Sequence, residues 1–277
     1  MSAVYLEFQF QTGKDRQLKD ILISGLADIG FESFMDDETG FLGYVQEPDF
    51  KKDDFLELIV SFPAKPAYSF NRIEPQNWNA IWEAQFDPIR VNNRCVIRAP
   101  FHPATNDGSI ELVIEPKMSF GTGHHATTRL MCLGLMELEV KGKRVMDMGC
   151  GTGVLGILAA KLGAVQVEGI DIEEWAVENS IENASRNGVE MHIELGGAEK
   201  LPTEKTYDIF LANINRNILL QDMDFYVATL NSGATILFSG FLEPDVPALK
   251  EACSNRGLVF KEEKAEDNWR CLIFNTL

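Results

Sequence analysis

The chain has 277 residues, of which 45% are apolar and 24% charged, which suits a medium domain plus a smaller one and excludes large-scale disorder. Its net charge is −17, shared by residues 1–75 (7 Lys/Arg against 14 Asp/Glu) and the remainder (18 against 28). So acidic a surface repels phosphate backbones; direct nucleic-acid binding is disfavoured, and the acidity serves either a basic protein partner or solubility alone.

No run approaches the roughly 18–20 apolar residues of a membrane span. Met1 to Phe10 lacks a basic start and a small-residue cleavage site, so a cytoplasmic protein without a signal peptide is expected. Five cysteines stand at 95, 132, 150, 253 and 271 with no Cys-x-x-Cys pair. A zinc ribbon or a thioredoxin-type site is therefore not expected, and buried small apolar residues are.

Residues 1–75 read as strand, helix, strand, strand, helix, strand. Val4 to Phe10 is the first strand. Leu18, Ile21, Leu22, Leu26 and Ile29 recur at helical spacing over 15–29, and Gly30 stops that helix. Phe31 to Asp36 and Phe41 to Gln46 flank the hairpin signal Glu38-Thr39-Gly40. Residues 49–60 look helical and Ser69 to Glu74 extended. The order βαββαβ is that of a ferredoxin-like α+β domain. Residues 76–86 form a linker in which Trp78 and Trp82 share one helix face, most simply for packing.

The pattern changes from Asp87 on. Pro88 to Val91 and Arg94 to Ala99 flank the turn Asn92-Asn93, and Ile110 to Ile114 is a further short strand. After a helix over 125–138, strands near 144–148, 166–171, 191–195, 207–213 and 233–239 alternate with helices near 154–163, 173–187, 216–230 and 244–256. Alternation of this kind implies a doubly wound, Rossmann-like parallel sheet over 87–277. The last strands, 258–264 and 270–275, have only the turn Glu266-Asp267-Asn268 between them and so form an antiparallel pair.

Three loops carry chemistry. Val145-Met146-Asp147-Met148 runs into Gly149-Cys150-Gly151-Thr152-Gly153, then into an apolar helix. Glycines at such a turn allow positive φ and close approach of a ligand, and the helix start offers free amides. Gly151, Gly153 and Gly156 fit the dinucleotide fingerprint, and Asp171 ends the next strand where an acid would grip ribose hydroxyls. Both nicotinamide and adenosylmethionine cofactors satisfy this much. Asp147 favours the second, because a carboxylate there repels a pyrophosphate and attracts the ammonium of a methionine moiety; the plainer alternative is a helix-capping acid.

The second loop is Ser119-Phe120-Gly121-Thr122-Gly123-His124-His125-Ala126-Thr127-Thr128, two of whose glycines allow a bend over a ligand, with Thr127 and Thr128 free to cap the helix or bond the cofactor. No histidine or carboxylate spacing supports a metal site. The third is Asp208 to Asn215, an apolar strand whose Asn213 ends at the carboxyl edge where doubly wound sheets bind ligands. Its amide can accept a hydrogen bond from an incoming amine; a turn asparagine is the bland alternative.

These motifs, with Glu115-Pro116, Gly169-Ile170-Asp171-Ile172, Ala212-Asn213-Ile214 and the Trp78…Trp82…Phe86-Asp87-Pro88 stretch, closely resemble the family that methylates the large-subunit ribosomal protein L-eleven (PrmA), class I S-adenosylmethionine-dependent methyltransferases. The resemblance implies that residues 1–75 hold a basic ribosomal protein and that residues 87–277 bind S-adenosylmethionine and release S-adenosylhomocysteine. It implies methylation of lysine ε-amines and of the N-terminal α-amine. It places Thr128, Gly149, Asp171 and Asn213 on the cofactor; the reading of the loops themselves adds Asp147, Gly151, Gly153, Phe120, Gly121, Thr122 and Gly123 around it and expects Asn213 to orient the acceptor nitrogen. One departure stands out: His124-His125-Ala126 replaces a Thr-His-Pro stretch. Asn213 is followed by Ile214-Asn215-Arg216 rather than the Pro-Pro-Tyr of many amide and adenine N-methyltransferases, which weighs against glutamine amides and nucleobases as substrates. A nicotinamide-dependent oxidoreductase and a non-catalytic ribosome-associated module are the rival readings.

Overall fold

The computed structural model describes residues 4–13, 15–37, 39–62, 65–73, 86–117, 119–204 and 206–277. Trp78, Trp82, Glu38 and the expected linker up to residue 85 lie outside the described residues. The chain divides into two compact units that part between residues 85 and 86.

In the first unit, β1 (Tyr5–Gln11) alternates strictly, burying Leu6, Phe8 and Phe10 on one face, as a half-covered strand must. Asp15 caps α1 (Arg16–Asp28): its Oδ1 accepts the Leu18 amide at 3.0 Å, satisfying one of the free donors of the first turn. The helix ends at Gly30, whose φ of +103° only glycine adopts readily. Then come β2 (Ser33–Asp37), β3 (Gly40–Gln46), α2 (Lys52–Ser61) and β4 (Ala67–Ile73). The sheet is antiparallel in the order β2-β3-β1-β4, the ferredoxin-like arrangement. Its core is Phe8, Phe10, Phe31, Phe41 and Phe55 against Leu22 and Leu26.

The second unit opens with a three-stranded sheet, β5 (Ile89–Val91), β6 (Cys95–Arg98) and β7 (Ile110–Val113). Here β5 and β6 are antiparallel, and β6 and β7 are parallel. Next are α3 (Ala126–Met136), β8 (Arg144–Met148), α4 (Val154–Lys161), β9 (Gln166–Asp171), α5 (Glu174–Arg186), β10 (His192–Leu195), β11 (Tyr207–Asn213), α6 (Arg216–Ala228), β12 (Leu230–Leu242), α7 (Val246–Ser254), β13 (Leu258–Glu266) and β14 (Trp269–Thr276).

The seven-stranded sheet has the order β10-β9-β8-β11-β12-β14-β13. It is parallel from β10 through β12, while β14 runs antiparallel to both β12 and β13. One face packs on α3 and α4 through Leu130, Leu135, Leu155, Leu158 and Leu211. The other packs on α6 and α7 through Phe210, Leu219, Met223, Phe238 and Leu249. Strand order reverses between β8 and β11, and in open α/β sheets ligands bind beyond the carboxyl ends at that point. All five cysteines are buried and unpaired. Among the described residues no helix is long and apolar enough to cross a membrane.

Candidate active site

A cavity of about 580 Å³ opens at the switch point. Gly149 and Gly151 line it beyond β8, Asp171 beyond β9 and Asn213 beyond β11. Phe120, Met148 and Trp175 supply part of its apolar wall, and Phe225 and Ile172 its exposed rim. The acids lining it are Asp171, Glu173, Glu199 and Asp222, and no Lys or Arg is among its described walls. Glu199 Oε1 accepts the Gly197 amide at 2.8 Å, a bond that holds the carboxyl below the usual range.

The glycine turn has its shape because the backbone leaves no alternative. Gly149, Gly151 and Gly153 have φ of +68°, +56° and +76°. A Cβ on Gly151 would stand 2.4 Å from the Phe120 carbonyl oxygen, and one on Gly149 2.4 Å from Ile214 Cγ2. The turn is pinned from both sides. The Thr152 amide donates to Phe120 O at 2.9 Å and the Thr152 hydroxyl to Gly121 O at 2.9 Å. Asp171 Oδ2 accepts the Gly151 amide at 2.8 Å, and its Oδ1 accepts the Glu173 amide at 3.1 Å.

Of the residues singled out in the sequence, Phe120, Gly149, Gly151, Asp171 and Asn213 meet at this cavity, whereas Asp147, Gly121, Thr122, Gly123, Thr128 and Gly153 are not among its walls. Asp147 stands apart from these walls. Side chains alternate along β8: Met146 and Met148 belong to the α6 and α7 side, Val145 to the opposite core. Asp147 thus points with Val145 and is 1% exposed. Its Oδ2 accepts the Gly156 amide at 2.9 Å, so it anchors the first turn of α4, where free amides welcome an acceptor. Burial first, with the neighbouring Asp171 adding, pushes its carboxyl up to about 7. The carboxyl faces the amides of the α4 helix start and is not among the cavity walls.

The missing Cβ positions of Gly121 and Gly123 face protein. A Cβ on Gly121 would stand 2.6 Å from Thr152 Oγ1, and one on Gly123 2.7 Å from Ile97 Cδ1. Thr122 Oγ1 pairs with His124 Nδ1 at 3.1 Å. The cap of α3 is His125, whose Nδ1 accepts the Thr127 amide at 3.3 Å, not either threonine. Thr128 is fully buried, and its Oγ1 has no partner among the described residues. Gly153 packs on Ser180, 3.3 Å from the Cβ it lacks.

Asn213 has the most telling environment. Its Oδ1 is buried without a partner among the described residues, although an unsatisfied buried acceptor costs about 1–3 kcal/mol. It also belongs to two cavities. A smaller one, of about 240 Å³, shares Phe120, Asn213, Ile214 and Asn215 with the first and adds His125, Gly240 and Trp269 among its walls. Two spaces meeting at an unpaired acceptor suit the joining of two ligands at one atom.

The family described as ribosomal protein L11 methyltransferase (PrmA) matches residues 28–276. The chain belongs to that family. A ribosomal protein L11 methyltransferase of Porphyromonas gingivalis is 44% identical over 261 residues, 92% of this chain and 90% of that protein. One of Phocaeicola vulgatus is 40% identical over 98% of each chain. Among solved structures, a ribosomal protein L11 methylase from Lactobacillus delbrueckii subsp. bulgaricus superposes with a TM-score of 0.63 at 26% identity, over 69% of this chain and all of that one. A 16S rRNA methyltransferase of T. thermophilus in complex with AdoMet and guanosine shares the fold, with a TM-score of 0.50 at 20% identity over 57% of this chain and 45% of that one.

Trp269, Gly240, Trp175 and Phe225 escape the sequence reading. Trp269 carries a faint signal, since it directly follows the last turn. Gly240 has φ of +96°, and a Cβ there would stand 2.3 Å from Ile214 O, so it lets β12 press on the backbone that presents Asn213. Also unforeseen is the inner stripe of α5, where Asn179, Ser180 and Asn183 are fully buried. Asn179 Nδ2 donates to Ser119 Oγ, Ser180 Oγ to Gly151 O and Asn183 Nδ2 to Thr152 O, at 2.8–3.0 Å, tying both glycine loops to one helix.

Proposed function

We propose that this chain transfers methyl groups from S-adenosylmethionine to amine nitrogens of ribosomal protein L11, the lysine ε-amines and the N-terminal α-amine. One observation carries the choice of cofactor: the switch-point cavity has four acids and no cation among its described walls. A dinucleotide would bring a pyrophosphate into that field, whereas a sulfonium and an ammonium are attracted by it. This replaces Asp147 as the reason to prefer adenosylmethionine over a nicotinamide. The bends of Gly149 and Gly151 leave room for a methionine moiety, Asp171 suits ribose hydroxyls, and Phe120, Met148 and Ile172 suit apolar contact with the rest.

S-adenosylmethionine, when bound, supplies an electrophilic methyl on a sulfonium. Asn213 Oδ1 orients the incoming nitrogen, which fills the acceptor's vacant hydrogen bond and aligns the lone pair; such alignment is a large entropic contribution to rate. The nitrogen must arrive neutral. A lysine of pKa about 10.4 gives up its proton near pH 7 at a cost of roughly 4–5 kcal/mol, which desolvation in the cavity reduces. No dedicated base is required, because the proton can leave to water first.

Residues 1–75 are the segment we assign to holding the substrate protein and residues 87–277 the transferase proper, joined through 76–86. Mixing the full chain with labelled S-adenosylmethionine and L11 tests the reading directly. Label in lysine and N-terminal amines is expected; no transfer, together with no calorimetric binding of S-adenosylhomocysteine, would refute it.

A further inference from the structure

We infer that Arg129 is a positioning residue for the cofactor: paired with Glu266, it holds the 119–125 loop where Phe120 walls the switch-point cavity. This rests on the methyl-transfer reading.

The loop is tied at its two ends by different elements. At its start Asn179 Nδ2 donates to Ser119 Oγ, and the Thr152 amide and hydroxyl donate to the Phe120 and Gly121 carbonyls, each at 2.9 Å. At its end the holder is the Arg129 guanidinium. Its Nη1 donates to Gly123 O at 3.0 Å and also to His124 O. Its Nε donates to Glu266 Oε1 at 3.0 Å, and its Nη2 donates to the same carboxylate. All three nitrogens are engaged, one on the loop and two on the last residue of β13. A planar fork spans two sides in this way, whereas an ammonium has a single nitrogen to offer.

Position and charge both single the residue out. Arg129 stands in the first turn of α3, where the helix dipole disfavours a cation, so helix stability does not account for it. Glu266 balances its charge, and the loop is therefore held without net positive charge that would repel a sulfonium. The loop is short, so slack at 123–124 reaches Phe120, whose carbonyl abuts Gly151. A second ion pair joins the same helix and strand at their far end, Lys264 Nζ to Glu137 Oε2 at 2.5 Å. Lys264 bonds Glu137 and Glu262, neither of them in the loop or on the cavity wall, and so serves as the internal comparison.

The test uses the full chain and S-adenosylhomocysteine. Arg129→Ala is expected to weaken binding at least about fivefold by calorimetry, the effect of losing charged hydrogen bonds that order a loop. The KM for S-adenosylmethionine should rise alongside, with kcat at saturation changed less. Arg129→Lys should recover little, and Glu266→Gln, at a partly exposed position, should show part of the same loss with the arginine still present. Hydrogen exchange of the 119–125 peptide should quicken in Arg129→Ala while that of β8 and β11 holds. Lys264→Met, which cuts the other tie, should bind like wild type. Wild-type affinity in both Arg129→Ala and Glu266→Gln, an equal loss in Lys264→Met, or full recovery by lysine would overturn the inference while leaving the methyl-transfer reading standing. Failure of the unsubstituted chain to bind S-adenosylhomocysteine would overturn both.

Discussion

The Asp171 carboxylate accepts the Gly151 amide hydrogen at 2.8 Å, so the acid assigned to the ribose also sets the shape of the glycine turn. One residue thereby couples two strands of the site, β9 through its own position and β8 through the turn that follows it. Removing the side chain should do two separable things. Asp171→Ala leaves the Gly151 amide without its acceptor and is expected to cost about 1–3 kcal/mol of stability, together with at least about tenfold in S-adenosylhomocysteine affinity. Asp171→Asn keeps an oxygen for Gly151 but loses the charge-assisted bond to a hydroxyl. It should unfold close to wild type yet still bind weakly. Calorimetry and thermal melts on the pair would decide, and wild-type affinity in the Asn variant would exclude the ribose role.

The two glycines nearest the ligand should differ when substituted, although both have positive φ. At Gly151 a Cβ meets backbone, the Phe120 carbonyl; at Gly149 it meets a side chain, Ile214. Backbone cannot step aside, whereas an isoleucine can be shortened. Gly151→Ala is therefore expected to lose cofactor binding and more than about 2 kcal/mol of stability, combining left-handed strain with displacement of the 120 loop. Gly149→Ala should be milder, and Ile214→Ala added to it should restore stability in part. Denaturant melts of the three proteins test this, and equal losses at 149 and 151 would contradict the contact geometry.

Much of this fold was legible because βαβ alternation is written in local periodicity, and Gly149, Asp171 and Asn213 could be placed together at the ends of β8, β9 and β11, where they line one cavity. What resisted reading was direction. β8 is covered on both faces, so Met146 and Met148 look like Val145 in sequence, and no alternation reveals that Asp147 faces α4. Positive-φ glycines are equally silent about what they approach: Gly121 and Gly123 make room for Thr152 and Ile97. Trp269 reaches the site only through the pairing of β14 with β12, in which it sits opposite Leu242. The buried amides of α5 did leave a trace, polar residues at 179, 180 and 183 on a stripe bounded by Ala176 and Ala184. Their partners are loops some 30–60 residues away.

Burial of Asp147 has a consequence for pH. Its folded pKa stands near 7, above the ordinary 3.8, so the native state holds this proton more tightly than the unfolded chain. The associated stability is complete below about pH 4 and is lost as pH rises towards 7, after which the curve is flat. The loss is a few kcal/mol at most. Asp147→Asn keeps an oxygen for the Gly156 amide and has no charge to bury. Its melting temperature relative to wild type should rise between pH 4 and 7 and then level off. A difference independent of pH across that window would show that the carboxyl is not desolvated as described.

Asn213 gives the sharpest separation of binding from chemistry. Its Oδ1 has no partner among the described residues, so replacing it removes no hydrogen bond of the resting protein, and Asn213→Ala should melt within about 1 kcal/mol of wild type. The loss should appear when an acceptor nitrogen is present, since misplacement of a reacting atom by about an ångström costs on the order of 100-fold. Single-turnover transfer to L11 is therefore expected to slow about 100-fold, while affinity for S-adenosylhomocysteine, which offers no acceptor amine, changes by less than about fivefold. Full turnover with unchanged cofactor affinity would remove Asn213 from the mechanism and leave orientation of the amine to the backbone around Ile214.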